Sequence, residues 1–378
     1  MTHAVRTRFV TRTDAIRIII GWAAFAALLL AAPLLEPPVP AAALVEVLAA
    51  IVAVIIVCAF GVLKQAEALA HRLGDPYGSL VLTLSIVAIE VILIAAVMLG
   101  PGEHTTIARD SVMAVAMIIM NLVIGLALLI GGIRRGGLRT NRAGTSAYFA
   151  LLIPLVGVAF ALPAVIGEGG AFTVGQEVPI ILVTLALYAF FLIRQMGPQA
   201  GDFREPDAGG GAEPAEPRTP IGETLRTHRR EVVTRLVVLL ATAVPIVLLS
   251  HDMAALLDDG LGRLGAPVAL AGVLIAAIVF LPETLTTLRA AAQGEGQRVS
   301  NLCHGALVSS VGTTIPVVLL IGMATGQTVV LAESPANLLL LGLTMLLTVA
   351  TFGARRVTAM HGAAHLALFA VYAVTLFA

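Results

Sequence analysis

The stretch LVLTLSIVAIEVILIAAVML, Leu80–Leu99, is long and apolar enough to cross a bilayer as a helix. Nineteen of its residues are apolar or carry at most a small hydroxyl, and the twentieth is Glu90, near the middle. A charged side chain at that depth costs roughly 2.5–3.5 kcal/mol on insertion scales. A helix that carries one therefore needs it for something, or pairs it with a basic residue. No Lys or Arg lies deep in any apolar stretch of this chain, so the basic partner is missing.

The rest of the chain has the same character. Of 378 residues 58% are hydrophobic and 12% charged, and mean hydropathy is +0.98. Soluble domains carry about 25% charged residues, so the composition excludes a water-soluble fold and predicts an all-α polytopic membrane protein. Cys58 and Cys303 both lie in apolar runs and offer neither a disulfide framework nor a CxxC metal or redox pair. There is no P-loop, no Ser/His/Asp arrangement and no basic patch for nucleic acid. The basic N-terminal stretch precedes an apolar run longer than the 7–15 residues of a signal peptide, and reads as a retained first helix.

Apolar windows of about 17–24 residues fall near 16–35, 41–63, 78–99, 111–131, 147–165 and 178–194. They resume near 232–250, 266–288, 300–322, 337–353 and 360–377. Eleven spans are expected. Short cytoplasmic loops are rich in Lys and Arg, and this tests the count. With the N-terminus inside, 21 of the 23 basic residues fall in cytoplasmic segments, and only Arg109 and Arg263 fall outside. One helix too many or too few would invert every later loop. The count sets the N-terminus in the cytoplasm and the C-terminus outside, and a single Lys against 22 Arg suggests a GC-rich bacterial genome, hence a plasma (inner) membrane.

Residues 196–230 are rich in Pro, Gly and charge and read as a flexible cytoplasmic linker. With an extra N-terminal helix over 1–40, the remainder divides into five spans in 41–195 and five in 231–378. An odd number of helices per half makes the halves enter the membrane from opposite sides. That is the arithmetic of an inverted repeat, with a binding site near the midplane.

Aligning Gly78 with Ala271 sets Glu90 opposite Glu283, each twelve residues into the second span of its half. The third spans carry Asn121 in the first half and Ser309, Ser310, Thr313 and Thr314 in the second, with His304 nearer the cytoplasmic end. Thr83 lies on nearly the face of Glu90, Ser85 to one side, and Thr286 and Thr287 share the face of Glu283. Pro282 and the neighbourhood of Gly312 can interrupt backbone hydrogen bonding and free carbonyls toward a cavity. Carboxylates, an amide, hydroxyls and carbonyls form an all-oxygen set, which suits hard cations such as Ca2+ or Na+ better than zinc or copper. The candidate ligands are thus Glu90, Glu283, Asn121, Ser309 and Ser310, with the two glutamates as metal ligands and Thr83, Ser85, His304 and Thr313 behind them. His304 either shuttles protons or caps the entrance. His361 and His365, in HGAAH, have metal-ligand spacing but lack the Glu of HExxH.

The runs ALAHRLGDPYGSLVLTLSIVAIEVILIAAVM from Ala68, FLPETLTTLRAA from Phe280 and NLCHGALVSSVGTTIPVV from Asn301 resemble the two α-repeats of bacterial calcium/proton and sodium(potassium)/proton antiporters, in the calcium/cation antiporter superfamily. The resemblance implies a one-plus-five-plus-five plan, with Glu90 and Glu283 as the acidic residues of the repeats and Asn121, Ser309 and Ser310 on the flanking ligand helices. It implies exchange of cytoplasmic Ca2+ for protons, or of Na+ or K+ for protons, with inorganic cations, protons and the bilayer as partners and no cofactor. The acidic mid-chain loop of many relatives is absent: Glu205, Asp207, Glu213 and Glu216 are scattered. A non-transporting intramembrane enzyme or scaffold would need no matched carboxylates.

Overall fold

The computed structural model describes residues 10–34, 39–73, 87–88, 90–91, 94–95, 98, 105–206, 226–267 and 269–377. Thr83 and Ser85 lie outside them, as does the middle of the linker, residues 207–225. The described elements are helices joined by short loops. Those of the first part of the chain are α1 (Arg12–Ala31), α2 (Ala41–Leu73), α3 (Ile107–Arg135), α4 (Arg142–Ile166) and α5 (Val174–Met196). Those of the second are α6 (Arg229–Arg263), α7 (Ala269–Val279), α8 (Leu281–Gln293), α9 (Gly296–Thr325), α10 (Pro335–Gly353) and α11 (Ala359–Thr375). Residues 87, 88, 90, 91, 94, 95 and 98 are helical, and we call them the Glu90 segment.

Eight of these helices are long and apolar enough to cross a membrane, and α7 with α8 makes a ninth span bent by 56°. The Glu90 segment and α11 fall on the remaining two expected windows. The bend lies where Pro282 sits in the first turn of α8, as the sequence predicts. Around Gly312 the helix α9 runs unbroken from Gly296 to Thr325, but Pro316 inside it has no N–H to give the Gly312 carbonyl four residues back.

Local sequence sets the helix ends. Thr11 and Asp14 form a capping box on α1, Asn141 caps α4 and Ser334 caps α10. After α3, Gly136 takes φ +70, a left-handed conformation that needs no Cβ.

Residues 1–82 with 211–260 form one compact unit, and residues 83–210 with 261–378 a second. In the first, α1 presents Ile16, Ile19, Leu29 and Leu30 outward, as lipid-facing helices do. Charges near one end of this unit are paired: Lys64 with Asp14 at 2.8 Å, and Glu231 with both Arg72 and Arg235 at 2.6 and 3.0 Å.

In the second unit α3 and α9, the third spans of the two halves, are the most buried helices. The loops around them are joined reciprocally. Leu138, between the third and fourth spans of the first half, pairs its backbone with Val357, between the fourth and fifth of the second. Ala171, between the fourth and fifth spans of the first half, pairs with Val330, between the third and fourth of the second. Such an exchange of roles is what a pair of related repeats produces. The beginning of the linker is packed rather than loose, with Phe203 buried against the rings of Tyr148 and Phe191.

Candidate functional site

The site is built by the second span of each half meeting the third span of the other. Glu90 is almost fully buried, and its Oε1 accepts a hydrogen bond of 2.6 Å from Ser310 Oγ on α9. Glu283, in the first turn of α8 beyond the bend, faces a cavity of about 10 Å³, room for about one water molecule. Ile119 and Val123 of α3 line it, with Thr284 and Thr287 of α8 and Leu302, Cys303 and Ala306 of α9. The two carboxyls lie within Coulombic reach of each other.

Their oxygens are short of partners. Among the described residues, Glu90 Oε2, both oxygens of Glu283, Thr287 Oγ1 and Thr314 Oγ1 are buried without a hydrogen bond. Buried polar groups in proteins are nearly always satisfied, and a bare carboxylate in apolar surroundings is among the costliest to leave unpaired. Such a cluster is stable with a proton on each carboxyl or a cation among the oxygens. Among the described residues no three His, Cys, Asp or Glu side chains converge.

The other expected ligands sit one layer back. Asn121 lies in a π-helical turn, Ile118–Val123, within α3. Its Nδ2 donates to Thr344 Oγ1 of α10 at 2.8 Å, and its Oδ1 lies 3.2 Å from His365 Nδ1 of α11. The structure thus gives its amide to α10 and α11 rather than to a carboxylate. Ser309 accepts a 2.8 Å hydrogen bond from the Tyr188 hydroxyl of α5, and Thr313 reaches the same hydroxyl. Neighbouring serines on one helix point about 100° apart, so only Ser310 meets Glu90. Gly312 leaves room for the Tyr188 ring, whose Cγ would stand 3.0 Å from a Cβ there.

His304 is fully buried, two turns into α9, with Nδ1 2.9 Å from Ser300 Oγ. The rings of Tyr148, Phe149 and Phe352 surround it. Sequence reasoning missed Tyr188 and the π-turn, and it weighed His365 only for its metal-ligand spacing with His361, not as the partner of Asn121. The stripe Thr344, Thr348, Thr351 on α10 was a visible signal for a buried polar seam.

The profile of the family described as sodium/calcium exchanger protein matches residues 44–197 and 234–378. The chain belongs to this family. It is 32% identical to the sodium-potassium/proton antiporter ChaA of Escherichia coli (strain K12) over 322 residues, 85% of this chain and 86% of that protein. To the putative ionic transporter y4hA of Sinorhizobium fredii it is 35% identical over 316 residues, 83% of each. Among solved structures, the Ca2+/H+ antiporter protein YfkE shares the fold at a TM-score of 0.66 and 15% identity, covering 97% of this chain and 98% of that one. The protein is thus a polytopic membrane cation transporter of the exchanger family.

Proposed function

We propose that the protein is a secondary antiporter of the bacterial inner membrane that exchanges cytoplasmic Ca2+ for protons at Glu90 and Glu283. The observation that carries this reading is the pair of buried carboxyls, within Coulombic reach, with three of four oxygens unpartnered. Two carboxylates balance one divalent cation, and two protons neutralise the same pair. Proton and cation then compete for the same oxygens. The bare doubly charged site is the costly state, and exchange follows if only the occupied site can pass between the two faces. Ser310 holds one oxygen of Glu90, while Glu283 beside its cavity is the carboxyl with room for an incoming ion.

A second reading has its own support. The Escherichia coli relative is a sodium-potassium/proton antiporter, so Na+ or K+ exchanged for protons at the same carboxyls is the alternative. The repeat boundaries 41–195 and 231–378, an N-terminal helix over 1–40 and a cytoplasmic linker over 196–230 belong to the same proposal.

Purified protein in liposomes with a trapped pH dye tests it. With an imposed pH gradient, Ca2+ at micromolar concentration dissipates the gradient, and Glu90→Gln or Glu283→Gln abolishes the response while the protein stays folded. A response to Na+ or K+ alone selects the second reading. Normal exchange by Glu90→Gln overturns the site.

A further inference from the structure

The two glutamates are not held alone. Each faces the third span of the opposite half, and each of those spans is gripped from behind by the fifth span of the half opposite to it. On the Glu90 side, Tyr188 of α5 donates to Ser309, the neighbour of the Ser310 that binds Glu90. On the Glu283 side, His365 of α11 meets Asn121, in the π-turn whose Ile119 and Val123 wall the cavity. We propose that Tyr188 and His365 are paired positioning residues of the cation site, acting through Ser309 and Asn121.

The geometry supports a holding role in both cases. His365 is fully buried and uses both ring nitrogens: Nδ1 donates to Asn121 Oδ1 at 3.2 Å, which leaves Nε2 to accept from Thr351 Oγ1 at 3.2 Å. Asn121 then spends its amide hydrogens on Thr344 Oγ1 and, at 3.6 Å, on Met117 Sδ. A π-turn puts one extra residue into a helical turn, and such turns occur frequently at functional sites. Here the Asn121 amide is bonded across to two other spans at the centre of that turn. Tyr188 has the same logic with a shorter reach. Its ring fills the space over Gly312, and its hydroxyl fixes Ser309. If α9 rotated to bring Ser309 inward, Ser310 would leave Glu90. Neither residue touches the ion, so both should set how well the ion is held rather than whether the exchange step exists.

This inference rests on the proposed exchange, and two readouts keep the two apart. In the liposome assay, His365→Leu and Tyr188→Phe should each raise the half-saturating cation concentration about three- to tenfold, with the maximal rate within twofold of wild type. His365→Gln, which offers one donor and one acceptor, should stay near the wild-type value. The second readout needs no transport. In a Cys58→Ser background, the rate of alkylation of buried Cys303 by N-ethylmaleimide, a reagent too large for the closed cavity, reports how readily the packing beside Glu283 opens. His365→Leu should change that rate several-fold, His365→Gln should not, and Tyr188→Phe, on the other carboxyl's side, should leave it unchanged. Unaltered half-saturation in both variants, or a Cys303 rate indifferent to His365→Leu, overturns the proposal. If the unmodified protein exchanges no cation, the functional reading fails, and the Cys303 rates alone decide the positioning role at His365.

Discussion

Glu90 and Glu283 occupy matched places in the sequence but unlike environments, and the difference has consequences. Glu90 has one oxygen committed to Ser310 at 2.6 Å, whereas Glu283 has none committed. A hydrogen bond to a charged group contributes about 1.5–3 kcal/mol, and tenfold in affinity is about 1.4 kcal/mol. Ser310→Ala should therefore weaken cation-driven proton release by roughly tenfold or more in half-saturation, while Ser309→Ala, which loses only Tyr188, should weaken it less. Titration of dye-loaded vesicles measures both. Outside the spans, Glu333 offers a test of electrostatics. Its Oε2 accepts from Asn337 Nδ2 at 2.8 Å and Ser334 N at 3.2 Å, and Oε1 lies 3.9 Å from Arg109 Nε. Burial pushes its carboxyl above the ordinary carboxylate range, against those hydrogen bonds and Arg109. The folded state then keeps its proton to higher pH than the unfolded chain, so this site's contribution to stability falls as pH rises through that window. Glu333→Gln, which cannot ionise, should gain thermal stability over wild type at pH 8 relative to pH 5; an equal difference at both pH values would contradict the burial. The pairing of Glu90 with Glu283 was read from position along the chain, because depth in a span is legible from hydropathy. Which neighbour each one meets was not, because Ser309 and Ser310 differ only in the direction they face around α9.

The elements explain why the site has the neighbours it has. Where α3 crosses α11, Gly125 and Gly362 bring the two backbones together: a Cβ on Gly362 would stand 2.6 Å from both Gly125 O and Leu129 N. Small residues at such crossings are how membrane helices gain contact without a hydrophobic driving force. The crossing also delivers His365, three residues further along α11, to Asn121. Gly362→Ala should therefore overpack the interface at about 1–3 kcal/mol and lower the melting temperature in detergent. Gly342→Ala on α10 meets nothing within 4 Å and should be neutral or mildly stabilising, since Ala exceeds Gly in helix propensity by about 1 kcal/mol. Equal melting of the two variants would show that the crossing is looser than its geometry. The glycines were visible in the sequence, and so was the histidine pair in HGAAH. What sequence could not supply was the partner helix, because spans 230 residues apart meet only through the folding of the whole unit. The π-turn was hidden for a related reason. IIMNLV has no composition that separates it from an ordinary helical turn, and the bonds from Asn121 to α10 and α11 are what distinguish it.

At the scale of the molecule, the compact units divide each half near the junction of its first and second spans. The first span of each half joins α1 in one unit, apart from the last residues of α6, and the later spans of both halves make up the other. Hydropathy shows where spans lie but carries no signal for which of them pack together, so the linker at 196–230 suggested halves where packing follows rank within each half. The reciprocal bridges Leu138–Val357 and Ala171–Val330 make the orientation of the chain testable. The first joins loops that carry Arg139, Arg355 and Arg356 and follow Arg134 and Arg135 at the end of α3, whereas the second joins loops without a basic residue. Positive loops stay on the cytoplasmic side, so the two bridges should lie on opposite faces. In a chain with Cys58 and Cys303 replaced by serine, Arg139→Cys and Glu168→Cys place single thiols at exposed positions beside the two bridges. In intact cells with a permeabilised outer membrane, a charged maleimide should label Glu168→Cys at once and Arg139→Cys only after the inner membrane is opened. Labelling in the reverse order would invert the topology. Labelling of both from outside would break the span count between Arg139 and Glu168. The expected order fixes α4 as a single crossing and, by the alternation of the loops, sets the N-terminus in the cytoplasm, the side from which the exchange proposed above would draw its cation.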